Sequence, residues 1–222
     1  MSVMSEGKRL GDWLKWEAEN SYSRDIVTIL AGSGAERALL NGMVLGRVTK
    51  GAATGAAVAG NTGNGTITAS PVVGAAAKPG VYRAICIEPA TDGGKFAVED
   101  PEGVLIGIAT VGTEFTTHLT FTIADGSTDF AAGDGFTITV AAGSGKVKQI
   151  DFAATDGSDI PCGLLVVDAT APDGSDLSAV AVVRNVIVSG NGLTWPTGAT
   201  SDQKNAAIAR LQSLGILVRQ GA

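Results

Sequence analysis

The side chains able to do chemistry are few and scattered. His118 is the single histidine, beside an alternating apolar and threonine run. With no second histidine and no paired cysteine motif there is no zinc set, and His118 reads as a surface or strand-edge residue. Cys86 and Cys162 lie in apolar runs, Ile85-Cys86-Ile87 and Pro161-Cys162-Gly163-Leu164, and read as buried small hydrophobes with free thiols. No serine stands in a Gly-x-Ser-x-Gly elbow. Gly143-Ser144-Gly145-Lys146 has the outline of a phosphate loop, but Val140 stands where the leading glycine belongs and Val147 where a serine or threonine would hold magnesium. The acidic runs Asp125 to Asp129, Asp156 to Asp159 and Asp173 to Asp176 gather oxygen ligands without the twelve-residue calcium pattern and its closing glutamate. Aspartate and glycine are what tight hairpin turns require, so these read as turns. No catalytic residue, cofactor site or metal site is expected, and an enzyme is the least supported class.

The elements that would carry such side chains are mostly strands. Of the 222 residues 45% are hydrophobic and 31 are glycine, enough to bury a core of ordinary size in one elaborated domain or two small ones. Leu119 to Ile123 and Phe136 to Val140 alternate apolar residues with threonine, so each puts one face into a core and one into water. Val81 to Ile87, Phe96 to Val98 and Val104 to Ala109 add strands, with turns at Asp92-Gly93-Gly94, Glu102-Gly103 and Asp125-Gly126. Short strands at this spacing suggest a sandwich of immunoglobulin-like size over residues 58–144, joined by Gly/Ala-rich linkers at 52–65 and 141–145. Outside it, Met43 to Val48, Val147 to Phe152, Gly163 to Val167, Val180 to Val183 and Val186 to Val188 read as core strands. Thr200 with Gln203 forms a capping box that starts a short helix bearing Ile208, Leu211 and Leu214, and Gly215 stops it. The expected fold is mainly β: a small mixed core with one carboxyl-terminal helix, the inserted sandwich, and an extended amino-terminal arm.

The charge of −6 and the pI near 4.7 argue against direct nucleic-acid binding, which needs a basic stripe. No apolar run of roughly 18 residues is present, and the polar amino terminus has no signal-peptide stretch, so no membrane association and synthesis in a cytoplasm are expected. In residues 1–30 the large apolar groups Leu10, Trp13, Leu14, Trp16 and Tyr22 stand among charges with little periodicity. An arm that orders on a partner accounts for exposed aromatics. The alternative is an amphipathic helix packed on its own core.

Two stretches of motif resemble one family. Thr194-Trp195-Pro196 followed by Ser201-Asp202-Gln203-Lys204, the helix and the apolar end Ile216-Leu217-Val218 resemble the carboxyl end of the head decoration proteins of lambda-type phages. Trp13-Leu14, Glu17-Ala18, Ser23-Arg24-Asp25 leading into Val27-Thr28-Ile29, and Asn41 to Val48 resemble that family's arm and first core strand. Residues 8–52 and 145–218 carry the likeness, and the segment between them has no counterpart in lambda's own protein.

The resemblance implies a structural cement that binds the exterior of the expanded head as homotrimers at local threefold sites. There it would bridge major capsid subunits against internal DNA pressure, after assembly in the bacterial host cytoplasm. It implies a capsid-binding arm over 1–30 using Trp13, Leu14, Trp16, Tyr22, Ser23, Arg24, Asp25, Val27 and Ile29. It further implies a discontinuous core over 31–57 and 145–222 whose trimer motif is Trp195, Pro196, Ser201 and Asp202, and an outward-facing insert over 58–144. The alternative role is a displayed adhesin whose insert binds host-surface glycans.

Overall fold

The structure is a computed structural model that describes residues 7–220. The first six residues of the expected arm and the last two of the expected core lie outside the described residues. In chain order the elements are helix α1 (Leu10–Trp13) and strands β1 (Leu14–Glu17), β2 (Arg24–Ile29), β3 (Arg37–Leu39), β4 (Val44–Arg47), β5 (Lys50–Ala57), β6 (Thr66–Ile67) and β7 (Val72–Val73). Then come β8 (Gly80–Ala90), β9 (Gly93–Glu99), β10 (Leu105–Thr110), β11 (Glu114–Thr116), β12 (Leu119–Ala124) and β13 (Gly135–Ala142). The chain closes with β14 (Val147–Gln149), β15 (Pro161–Leu165), β16 (Ala169–Ala171), β17 (Leu177–Val182), β18 (Val186–Ser189), α2 (Ser201–Ser213) and β19 (Ile216–Arg219). Strand makes up 46% of the chain and helix 9%, so the class is mainly β.

The chain forms two compact units, one ending at Val48 and resuming at Gly145, the other running from Thr49 to Ser144. In the first, β14, β2, β17, β15 and β4 close a small barrel. Its staves bring Val27, Ile29, Leu45, Val147, Leu165 and Ala181 into one buried cluster. Closure leaves no free sheet edge among these five strands, which is how so short a set of strands satisfies its main chain. A three-stranded sheet, β1-β18-β19, packs its Val186, Val188 and Ile216 with Trp13, Leu211 and Ala207 in a second cluster. Helix α2 links β18 to its parallel neighbour β19. The capping box forms as the sequence predicts, with Gln203 N–H donating to Thr200 Oγ1 at 3.2 Å and Thr200 N–H to Gln203 Oε1 at 2.9 Å. Gly215 stops the helix at φ +77°, where an added Cβ would lie 2.3 Å from Asn185 Oδ1.

In the second unit, the five-stranded sheet β10-β9-β8-β13-β5 and the sheet β11-β12-β6, with β7 also on β12, share one core. Phe96, Phe130 and Phe136 pack there edge-on and tilted, 5.0 to 5.8 Å between ring centres, a geometry that suits the aromatic quadrupole. The alternating runs around Phe121 and Phe136 put these rings inward, while Thr122 and Thr137 on the same strands stay half-buried.

Two expectations need correction. The Gly/Ala stretch from Ala52 is strand for its first six residues: β5 pairs with β13 from Phe136↔Ala57 to Ala142↔Lys50, so this unit begins at Thr49 and not at 58. Small side chains are demanded there, since a Cβ on Gly55 would meet Thr68 O at 2.4 Å. Residues 7–30 are also no free arm. β2 is a barrel stave paired to β17 over six residues, and β1 is held antiparallel to β18.

Candidate functional site

The amino-terminal residues singled out by the sequence divide by burial. Trp13 is fully buried, at 0% exposure. Its indole Nε1–H donates to Asn41 Oδ1 at 2.6 Å, and Asn41 in turn donates from Nδ2 to Lys8 O and from its backbone N–H to Asp168 Oδ1 at 2.6 Å. The aromatic thus fills a pocket of its own chain, correcting its expected role as an anchor in a partner. Its fit is tight: a Cβ on Gly192 would lie 2.5 Å from that of Trp13. Val27 and Ile29 are likewise core residues, and Leu14 is half-buried against the same cluster as Trp13.

Ser23 is a buried staple. Its Oγ accepts from Ala18 N–H at 3.0 Å and donates to Asn185 O at 2.7 Å, tying the turn after β1 to the loop before β18. Arg24 forks onto Glu17 at 2.6 and 2.8 Å. That bond holds the Glu17 carboxyl below its ordinary range and raises the Arg24 guanidinium, against the opposing effect of burial. Asp25 pairs with Arg184 at 3.2 Å, and Arg184 covers the Tyr22 ring at 5.5 Å while donating to Tyr22 O. Trp16 and Tyr22 remain 54% and 55% exposed. Trp16 stands on β1, an edge strand, in register with Ile187 and, one strand on, the exposed Leu217.

At the other end, Trp195 stacks on Phe152 with ring centres 6.4 Å apart and 20° between planes, and Pro196 is half-buried behind it. Ser201 and Asp202 are exposed in the first turn of α2, where the aspartate complements the helix dipole. An open groove of about 470 Å³ lies beside that helix, between Phe152, Ile160, Gln203 and Arg210. The structure therefore separates the two expected groups into interior members and a smaller exposed set. Sequence reasoning missed Asn41 and Asn185, whose side-chain and backbone oxygens hold the amino-terminal segment. A buried tryptophan needs an acceptor, which was the available signal for Asn41.

The turn aspartates are occupied as turn residues. Asp156 receives Ser158 N–H and Oγ–H and pairs with Lys148 at 3.0 Å, while Asp173 and Asp176 accept Gly34 and Ala31 N–H. Lys146, in the run outlined like a phosphate loop, pairs with Asp176 at 2.5 Å. Cys86 is buried and Cys162 half-buried, and burial pushes both thiols up, away from reactive thiolate. The carboxylates of Asp92, Asp125 and Asp129 gather within 4.8 Å on the surface of the second unit. Among the described residues no helix is long and apolar enough to cross a membrane.

A closed barrel stapled by its own amino-terminal segment, with polar groups committed to turns, caps and strand junctions, defines a structural β protein. The chain belongs to the bacteriophage lambda head decoration protein D family, whose model it matches over residues 3–216. It is accordingly a non-enzymatic protein of the virion capsid exterior, with the family's role of decorating and stabilising the phage head. No curated protein matches the chain. Two crystal structures of Xanthomonas campestris FlgL match at 23% identity with a TM-score of 0.31, covering 49% of this chain and 34% and 33% of theirs. The chain spans about a third of the length of these FlgL chains.

Proposed function

We propose that the protein docks on the expanded head as a homotrimer at local threefold positions, cementing neighbouring major capsid subunits. The observation carrying this reading is the family match across both ends of the chain, which takes in the first unit from residue 3 to Val48 and from Gly145 to Ile216. For the capsid contact we assign the exposed members of the amino-terminal set, Trp16, Tyr22 and Asp25, in place of the buried Trp13, Val27 and Ile29. β1 has one open edge, so an extended capsid segment can add to it through main-chain bonds while the two aromatics supply contact area. Single bonds contribute about 0.5 to 1.5 kcal/mol net, so aromatic burial and threefold multivalency must provide most of the hold. Trp195, Pro196, Ser201 and Asp202 are assigned to the trimer contact.

The second unit is carried on the virion exterior as a displayed module. The glycan-binding alternative draws no support from its surface, because Tyr82, Phe96, Phe115, Phe121, Phe130 and Phe136 are all buried and leave no phenylalanine or tyrosine ring there to stack on a sugar.

The test is binding of purified protein to expanded and unexpanded heads of its phage, with heat resistance read in parallel. Preferential binding to expanded heads, lost in Trp16→Ala with Tyr22→Ala, is expected. Equal binding to both forms, or undiminished binding by the double variant, overturns the assignment.

A further inference from the structure

The outer face of the five-stranded sheet in the second unit has a pattern that the cement role does not use. Across β10, β9 and β8, Ile108, Ala97 and Ile85 stand side by side in register, with Ile108 and Ile85 exposed. Val81, Ile87 and Leu105 are also exposed on these strands or their ends. Contiguous exposed apolar groups of this kind mark interaction surfaces.

Four charges frame this apolar row. On one side of it, Lys95 of β9 bridges to Glu88 of β8 at 2.8 Å, the bulge at Ile87 bringing Glu88 round to the outer face. On the other side Glu99 of β9 stands opposite Arg83 of β8. The signs alternate both along each strand and across the pair, a checkerboard centred on Ala97 and Ile85. Such a pattern is complementary to itself. Turning a second copy about an axis along the strands sets Lys95 over Glu88 and Glu99 over Arg83. Turning it about an in-plane axis across the strands sets Lys95 over Glu99 and Arg83 over Glu88. Either two-fold gives an isologous contact with every charge facing its opposite.

The rest of the unit discourages any other approach between copies. Thr49 to Ser144 carries four lysines and arginines against nine aspartates and glutamates, while this face balances two against two. All the net negative charge therefore lies elsewhere on the unit, where copies repel.

We propose that this face is a self-docking surface on which the second unit of another copy of the chain packs, apolar row against apolar row. The occupant is a second copy because the charge pattern matches its own image. Copies held close together on one capsid would meet through it at high effective concentration. The proposal does not depend on the trimer contact of the first unit.

The experiment uses the full chain with single cysteines introduced on the face. Ile85→Cys alone, or mixed with Ala97→Cys, should form interchain disulfides under the thiol oxidant diamide, the two cases distinguishing the two axes. The wild-type chain and Thr128→Cys, at an exposed loop position, give the background. Adding Arg83→Glu, an exposed change that places like charges together under either axis, should suppress linkage several-fold while circular dichroism stays unchanged. Linkage no greater than background overturns the proposal, as does linkage indifferent to Arg83→Glu. Cross-linking of Ile85→Cys to the major capsid protein on decorated heads, without links between copies, would also overturn it and assign the face to the shell.

Discussion

Trp13 and Asn41, 28 residues apart, are joined by a buried hydrogen bond of 2.6 Å from the indole Nε1–H to the amide Oδ1. Each group would be an unsatisfied buried polar atom without the other. The bond also fixes where the amino-terminal segment rests on the first unit, since Asn41 holds Lys8 O with its other side-chain atom.

Trp13→Phe should therefore cost about 1–3 kcal/mol by stranding Asn41 Oδ1, and Trp13→Ala about 3–5 kcal/mol by adding a cavity. Denaturant unfolding of the full chain, followed by circular dichroism, checks both. Deletion of residues 1–30 should unfold the first unit outright, because it removes the stave β2 as well as Trp13. A truncated chain with an unchanged unfolding midpoint would restore the free-arm reading.

How far these features can be read from sequence follows from whether their cause is local. The capping box of Thr200 and Gln203 and the alternating strands around Phe121 and Phe136 depend on neighbours a few residues away, and their pattern is written in the chain. β5 is different. Its run of glycine and alanine has the composition of a linker, and only the crowding of Gly55 by Thr68 O, thirteen residues on, demands small side chains. Trp13 misled for a related reason: an isolated aromatic among charges has no periodicity to reveal that a pocket made by Asn41 and Gly192 awaits it. The exposed Trp16 and Tyr22 carry the same local signature as Trp13, so burial alone separates the interior residue from the candidates for a partner.

Lys50 offers a second test of long-range placement. It is 4% exposed, and its Nζ donates to the carbonyls of Gly74, Ala75 and Ala77 at 2.9, 2.5 and 3.0 Å, closing the loop after β7 onto the first strand of its unit. Lys50→Met keeps the apolar stem but leaves these carbonyls short of a donor. We expect a loss of about 1–3 kcal/mol, and faster amide exchange at Ala77, whose N–H closes the same loop on Gly74 O. Unchanged exchange at Ala77 would show that the ammonium does not hold the loop.

Asp134 gives this unit a defined pH response. Burial pushes its carboxyl up, but the N–H groups of Gly63, Ala131 and Thr62, all at 2.8 to 2.9 Å, outweigh this and hold it below its ordinary value. A carboxyl depressed in the folded state contributes stability above its unfolded pKa of about 4 and loses it as pH falls through the folded value. Thermal melts of the wild type should therefore shift downward as pH drops below about 4. Asp134→Asn, which turns an NH₂ toward one of these donors, should melt lower at neutral pH and show a flatter acid limb. Parallel curves for the two proteins would remove Asp134 from the acid response.

The junction between the units predicts how they can be separated. β4 and β14 are antiparallel neighbours, with Arg47 opposite Val147, and beyond them Val48 N–H bonds Lys146 O while Gly145 N–H bonds Val48 O. The chain leaves the first unit and returns to it side by side, at the same end of one antiparallel ladder. Replacing Thr49–Ser144 by Asn-Gly should then close that hairpin with a two-residue turn whose twist suits the strands. The product should fold cooperatively and still decorate heads, because every barrel stave and both clusters of the first unit remain. Cutting at 58–144 instead would leave β5 without β13, exposing an unpaired strand, and should aggregate. Size-exclusion chromatography with melting curves on the two deletions reads the difference. If the Asn-Gly chain fails to fold, or both deletions behave alike, then the first unit is not self-sufficient and the boundary at Val48 has no energetic meaning.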